Sequence, residues 1–529
     1  MLRTPRTVAV IGGGLAGLTA AYRLAASGLH RVTLIDSAPR LGGWVRSRRH
    51  RVAFVDEHGR RQEGTVTCEA GPRSIRPKGG VGAAKMLGLI HDVGLGDDVV
   101  PIPNSHPAAQ NRYLLDTDTA ALKRVGLGWN TPAPVKALIR GALLEPFRAR
   151  GGAAAADVTD ESVGSFFARR FGPDAAGVAS AFVHGIYAAD PDKLSLRSAF
   201  GILHAAEEKY GSVVLGMLLG ARSKEDKAAE ARAWAQLGPL GDERKGWSMY
   251  GLRGGIEGLT QALEVGAARH GAVVRTHETV TRLDPQEHGV KITLKSGETL
   301  AAEHVVAALP PKHLDHLLPA TSPLPHLNAN PSTTVGVVNV VYPLPPSAVH
   351  PEGFGYLIPR STSLVASNPE GALGVVFDST ALPGTDDGGL EGKVTKLTVM
   401  LGGPYWSSYS SGRVPIPNHD ELRTLALTHL FKVFPRLATV NPLLVVPHLN
   451  TNCIPTYAPG HGGRLRELHE VITRDPLDDD SWAGKLSVIG AGYGGVSVND
   501  CVLGAELVAQ GLADGCKVTT GLERWSDWA

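Results

Sequence analysis

The residues with the clearest chemical capacity lie near the start of the chain, where Gly12, Gly14 and Gly17 follow a short β-branched run, TVAVI, as GGGLAG. Gly12 permits a tight turn, Gly14 removes a side chain where a pyrophosphate must approach, and Gly17 lets the next helix pack closely. Backbone amides at the start of that helix can hold phosphate oxygens. Asp36 closes the next strand candidate, RVTLI, and its carboxylate can accept hydrogen bonds from a ribose diol. The spacing specifies a dinucleotide, FAD or NAD, without choosing between them. A second glycine cluster, GAGYGG at 490–495, leaves about 34 residues after it, too few for a second nucleotide domain. It reads as a closing segment that admits the same cofactor, with a helix starting near Asn499 and Asp500 whose positive end faces cofactor oxygens. The four cysteines, Cys68, Cys453, Cys501 and Cys516, form no CxxC pair, so neither a disulfide framework nor a zinc site is indicated.

These residues require a strand, tight turn, helix and strand within about 30 residues, the opening of a parallel doubly wound sheet. At 529 residues the chain exceeds what one hydrophobic core organises, and two or three units are expected. A formal charge of +2 gives no field of the kind that binds nucleic acid. Residues 132–208 are predominantly helical in pattern. Residues 135–150, VKALIRGALLEPFRAR, mix leucines with Lys136, Arg140, Arg148 and Arg150, which suits a membrane interface or a core-facing helix interrupted near Pro146. Residues 221–245 are dense in charge and alanine and read as a solvated helix or mobile insertion. Strand patterns at 334–341, 353–358, 373–378 and 396–401 predict a sheet-containing substrate domain, and 485–489 with 498–510 returns the chain to the nucleotide domain. The six residues before the run are too few for a signal or transit peptide, and no apolar run reaches the ~20 residues of a spanning helix. Membrane association is therefore expected to be peripheral.

The run after Asp36, SAPRLGGWVRS, contains Arg40, Gly42, Gly43, Trp44 and Arg46, and resembles the extension with which amine-oxidase-like flavoproteins wrap the flavin half of FAD. Its glycines permit close backbone approach and its arginines suit phosphate or ribose oxygens, so FAD is favoured over NAD. GPRSIRPK at 71–78 makes the likeness specific. With HPAAQNR (106–112), FVHGIYAADPDKLSLRS (182–198), LRGGIEGL (252–259), GFGYLIP (353–359), VMLGG (399–403), CIPTY (453–457) and GVSVNDCV (495–502), the chain resembles the protoporphyrinogen oxidase family, especially its eukaryotic mitochondrial branch.

That resemblance implies a mixed α/β and α+β fold: a discontinuous Rossmann-like FAD-binding domain (1–63, 250–312, 450–529), a sheet-containing substrate domain (64–112, 209–249, 313–449) and a helical membrane-associated domain (113–208). It implies oxygen-dependent oxidation of protoporphyrinogen IX to protoporphyrin IX on noncovalent FAD, in three hydride-transfer cycles that yield three H2O2. No side chain is implied as catalytic acid or base, and no metal. Arg112 matches the family arginine that faces a propionate; Gly185, Phe354, Gly355, Leu357 and Met400 match positions that shape the macrocycle pocket. The implied cofactor set runs through Gly12, Gly13, Gly14, Leu15, Ala16 and Gly17, then Asp36, Ser37, Arg40, Gly43 and Trp44. It continues at Gly71, Pro72, Arg73, Ser74 and Val274 and ends at Gly490, Val496 and Val498. His184 stands where a mammalian-type member has arginine, so charge there is expected to be weaker or pH-dependent. Gly462 cannot supply a tryptophan that members carry after the histidine. The resemblance further implies a membrane surface on the intermembrane-space side of the mitochondrial inner membrane, a homodimer and contact with ferrochelatase. Alternatives are an amine or polyamine oxidase, which would need an aromatic cage and a lysine–water arrangement, and a phytoene-desaturase-like enzyme.

Overall fold

The computed structural model describes residues 6–126, 131–148, 160–360, 368–406, 415–474, 481–516 and 518–528. In its nucleotide unit the strand Arg6–Ile11 lies between His30–Ile35 and His304–Ala307; Val273–Arg275 borders the former and Leu486–Val488 the latter. Every pair in this sheet is parallel. A parallel sheet needs cover on both faces, and alternate side chains of a strand point to opposite faces. Val8 and Val10 accordingly join a core with the helices Leu15–Ala26 and Val498–Ala513, whereas Ala9 and Ile11 join one with the antiparallel strands Val280–Gln286 and Gly289–Leu294. The fifth strand and its helix come from the C-terminal segment that follows the substrate sheet, so the chain leaves this unit and returns to it.

The substrate sheet has seven strands in the order Leu444–Pro455, Ser332–Tyr342, Thr395–Gly402, Ala372–Val376, Gly355–Leu357, Tyr113–Asp116, Ala121–Arg124. The last two depart from expectation, since helix was expected from residue 113. Asp116 sets the turn: its carboxylate accepts from the amides of Asp118 and Thr119, and Ala120 takes the left-handed conformation, closing a hairpin that joins the sheet edge. Leu444–Pro455 likewise carries substrate-sheet pairing past residue 450, where the nucleotide unit was expected to resume. The helices Ala133–Leu144, Val163–Phe171, Ala176–Tyr187 and Gly201–Tyr210 form a third unit, which continues beyond 208 through Val213–Leu219. Residues 221–245 are also not simply solvated. Trp234 is buried in the nucleotide core, and the Arg244 guanidinium lies 4.0 Å from its ring centroid.

Pro146 ends the first of those helices as expected, and a 3-10 turn, Glu145–Phe147, follows. Glu145 and Arg170 are fully buried together. The Glu145 carboxylate accepts from Arg170 Nε (2.7 Å) and from the amides of Val213 (2.9 Å) and Val214 (3.2 Å), as well as the Ser212 hydroxyl. Burial pushes its pKa up, but these hydrogen bonds outweigh burial and hold it below the ordinary value. Glu145→Ala leaves the buried Arg170 charge with only its longer pair to Glu207 at 3.4 Å, and is expected to lower the unfolding free energy by about 3 kcal/mol in urea titration.

Candidate functional site

The glycine turn is fixed by what surrounds it. Gly12 has φ +99°, and a side chain there would meet the Ala308 carbonyl at 2.7 Å. A Cβ on Gly17 would meet the Gly12 carbonyl oxygen at 1.9 Å, whereas at Gly14 nothing lies within 4 Å. The helix beginning at Leu15 has no side-chain cap and no acidic residue in its first turn, so its positive end faces this opening. Leu15 and Ala16 are buried beneath it, and Gly490 approaches Ala16 from the C-terminal segment. Asp36 sits at the end of the second strand, accepting from Gly13 N (2.6 Å) and Ala38 N (2.7 Å); Ser37 is exposed beside it and Val274 pairs with Leu34 on the adjoining strand. Gly42 N donates to Gly13 O, which brings the exposed Gly43 and Trp44 against the same turn. An open, uncapped helix start flanked by a strand-end carboxylate fits a dinucleotide pyrophosphate.

Two expected cofactor contacts are engaged elsewhere. Arg40 was expected to meet phosphate or ribose oxygens, but its guanidinium donates to the carbonyls of Leu41, Gly43 and Val45 and pairs with Glu257 Oε1 at 3.0 Å. It therefore braces the glycine extension. The start of Val498–Ala513 was expected to direct its positive end at the cofactor. It carries a capping box instead, in which Ser497 accepts from Asp500 N and Asp500 accepts from Ser497 N, so a carboxylate already sits there. Val498 opens that helix, and Val496 packs against the helical core next to Tyr457.

Gly71, Pro72, Arg73 and Ser74 connect the two sheets. Asn339 donates to Glu69 O (3.0 Å) and Asn450 to Ala70 O (2.7 Å), tying the segment to the substrate sheet. Arg73 is nearly buried and pairs with Asp378 at 3.4 Å, whose other oxygen takes the Thr398 hydroxyl. The same small cavity is lined by Glu69 and Lys396. Burial pushes the Glu69 carboxyl up to about 7, against hydrogen bonds from Ile256 N and Ser47 Oγ. Lys396 donates to Asp386 (2.7 and 2.9 Å) and to Thr67 O, so this buried lysine is not free to order a water in the manner of an amine oxidase.

Beyond this network the structure brings Gly185, Leu357 and Met400 together and, in a separate group, Phe354 and Arg112. Leu357 pairs with Gly374, which pairs with Met400, and a Cβ on Gly185 would meet Leu357 Cδ2 at 2.8 Å. Gly355 has φ +141° with its neighbour's carbonyl 2.2 Å from any Cβ, so the strand enters without a side chain. Phe354 packs with Ile102, Met249 and Leu382, and the Arg112 guanidinium lies 5.2 Å from its ring centroid. Burial lowers the Arg112 pKa. Phe182 and Ile186, each 49% exposed, lie one turn apart on the helix that carries Gly185. The residues from Phe182 to Ile186 were legible as a block, but not the exposure of these two.

His184 does not offer a pH-dependent charge to this bay. Its ring is buried, Nδ1 meets Ile358 O at 3.1 Å, and burial lowers its pKa to about 4, so it is neutral near pH 7. The space beside Gly462 is not empty. The indole of Trp528 occupies it, with ring atoms 2.1–2.4 Å from where a Cβ would stand, and His461 stacks on Tyr457 at 4.3 Å. Among the described residues there is no cluster of side chains that could hold a metal ion.

A dinucleotide turn on a parallel sheet, joined by a glycine-rich extension to a second sheet with an apolar bay, defines a flavoprotein oxidoreductase of the amine-oxidase type. The family model described as flavin containing amine oxidoreductase matches residues 15–513, and the cofactor of the chain is FAD. Within that class the chain belongs to the protoporphyrinogen oxidase family. It is 36% identical to the human protoporphyrinogen oxidase over 94% of this chain and 96% of that one, and 32% identical to the Schizosaccharomyces pombe protein over 96% and 98%. Solved structures share the fold: one from Exiguobacterium at TM-score 0.69 and 20% identity, covering 97% of this chain and 99% of that one. The cyclohexylamine oxidase of Brevibacterium oxydans gives 0.61 and 17%, with the same coverage.

Proposed function

We propose that this chain is an oxygen-dependent protoporphyrinogen IX oxidase of heme biosynthesis, holding one noncovalent FAD. The observation that carries the reading is the near-full-length relationship at 36% identity to the human protein of that name. Bound FAD would supply the two-electron chemistry of each cycle with O2 as acceptor, and three such cycles would account for six electrons and three H2O2. The chain's own residues bind and orient. Arg112 takes a propionate in a charge-assisted contact, while Phe354, Leu357 and Met400 clamp pyrrole rings and Gly185 and Gly355 leave room for them. His184 is neutral near pH 7 and turned to Ile358 O. Around the cofactor, Gly12 to Gly17, Asp36, Ser37, Gly43, Trp44, Gly71 to Ser74, Val274, Gly490, Val496 and Val498 form the enclosure. Anaerobic stopped flow tests the reading: protoporphyrinogen IX should bleach the bound flavin rapidly, and bleaching by putrescine or phytoene but not by protoporphyrinogen would refute it.

The finer location we propose is the mitochondrial inner membrane on its intermembrane-space side, with peripheral attachment; the family likeness extends this to a homodimer and contact with ferrochelatase. Among the described residues no helix is long and apolar enough to cross a membrane. Support for attachment comes from the tip of the helical unit, where Leu143 (71% exposed), Phe147 (87%), Leu218 (78%) and Leu219 (65%) face outward. Glu145 binds the start of Val213–Leu219 to the turn after Leu144, so these side chains form one patch. Burying three such side chains in lipid is favourable by ~1.5–3 kcal/mol each. The triple change Leu143→Ser, Phe147→Ser, Leu218→Ser should therefore lower liposome cosedimentation by at least about 100-fold in affinity; unchanged cosedimentation would remove this tip as the membrane contact.

A further inference from the structure

We infer that Arg76 is a second carboxylate anchor, paired with Arg112, so that the bay selects a substrate carrying two acid groups on one edge. This deepens the proposed tetrapyrrole reading and rests on it. The two arginines come from distant segments that the fold brings to one mouth. Ile75 exchanges both backbone hydrogen bonds with Tyr250, at 2.8 and 2.9 Å. The adjacent Met249 packs in the group that holds Phe354, and Arg112 lies over that ring. Asn499 Nδ2 donates to Arg76 O at 3.0 Å, which fixes Arg76 between the C-terminal helix and the bay. Its side chain reaches solvent, yet its guanidinium is enclosed enough that burial, and then the charge of Arg112, lower its pKa. Among the described residues no carboxylate acts on either arginine. Arg73, three residues earlier, shows the contrast, being committed to Asp378.

Two cations held close in a recess without an acid repel each other, and a ligand carrying two carboxylates relieves that repulsion. A monoacid relieves half of it, and an uncharged ester none. The guanidinium is suited to this role because it stays charged when partly desolvated and takes a carboxylate with two parallel N–H groups.

The test titrates the flavin-loaded protein with protoporphyrin IX and with its dimethyl ester, for wild type, Arg76→Gln and Arg76→Lys, alongside Tm and flavin content. Arg76→Gln should weaken the diacid about ten-fold or more, leave the diester unchanged, keep its flavin and show an equal or higher Tm; Arg76→Lys should recover part of the diacid affinity. Unchanged diacid affinity in Arg76→Gln, equal weakening of both ligands, or loss of flavin would overturn the role of Arg76. Wild type that binds neither porphyrin, or does not distinguish acid from ester, would overturn the tetrapyrrole reading together with it. Wild type that does distinguish them, with Arg76→Gln unaltered, removes Arg76 alone.

Discussion

Gly17→Ala is expected to give a colourless and destabilised protein. The added Cβ would stand 1.9 Å from the Gly12 carbonyl oxygen and 3.1 Å from Ala308 Cβ. The first of these neighbours is backbone, in the turn itself, and cannot rotate away. The helix Leu15–Ala26 must move off the strand that it follows, at a cost of about 3 kcal/mol, and its amides leave the position from which they meet a pyrophosphate. Gly14→Ala separates the two effects. Its backbone, at φ −70°, accepts alanine, and nothing lies within 4 Å of the new carbon. The fold should therefore survive with a Tm near wild type, while the methyl group enters the space that the phosphates need and lowers flavin occupancy. Visible flavin absorbance of the purified proteins, read beside thermal melts, distinguishes the pair. Gly17→Ala with full flavin and wild-type Tm would mean that the turn does not depend on this close contact.

The glycine turn was legible because its spacing is a local signal, although the carbonyl that excludes a side chain at Gly12 belongs to the distant Ala308. Element types followed from the same kind of signal, as in Thr395–Gly402, where the β-rich pattern became a central strand. What stayed illegible depends on pairs far apart. Nothing near Arg73 in the chain announces Asp378, 305 residues away, and nothing near Glu145 announces Val213 and Val214. Arg40 shows the same: nothing in the run around it announces Glu257, which the fold brings beside it. Trp528 shows the converse. The family likeness implies a tryptophan that Gly462 cannot supply, and the fold places an indole beside that glycine from the far end of the chain, over which Arg197 lies at 4.0 Å. The hairpin at 113–124 was missed because the family likeness, and not the residue pattern, set the start of the helical domain at 113.

Arg112→Ala is expected to raise KM for protoporphyrinogen IX with little change in kcat and full retention of flavin. Arg112 is held against the ring of Phe354, the residue before the substrate-sheet strand Gly355–Leu357. A propionate contact is the same before and during the redox step, since the reacting carbon lies in the ring system and not on the acid arm. Such uniform binding lowers KM without raising kcat, so its removal appears in KM. A charge-assisted hydrogen bond is worth about 2 kcal/mol, which corresponds to roughly a 30-fold loss in kcat/KM. Arg112→Lys keeps the charge and loses the fork, and should fall between wild type and alanine. The deletion also relieves the repulsion on Arg76, so its cost should be smaller in an Arg76→Gln background than in wild type if both anchors grip the same diacid. Additive losses in the double variant would mean that the two arginines act on separate ligands. A fall in kcat with unchanged KM would place Arg112 at the reacting carbon instead, where the apolar wall of Leu357 and Met400 offers it no counter-charge.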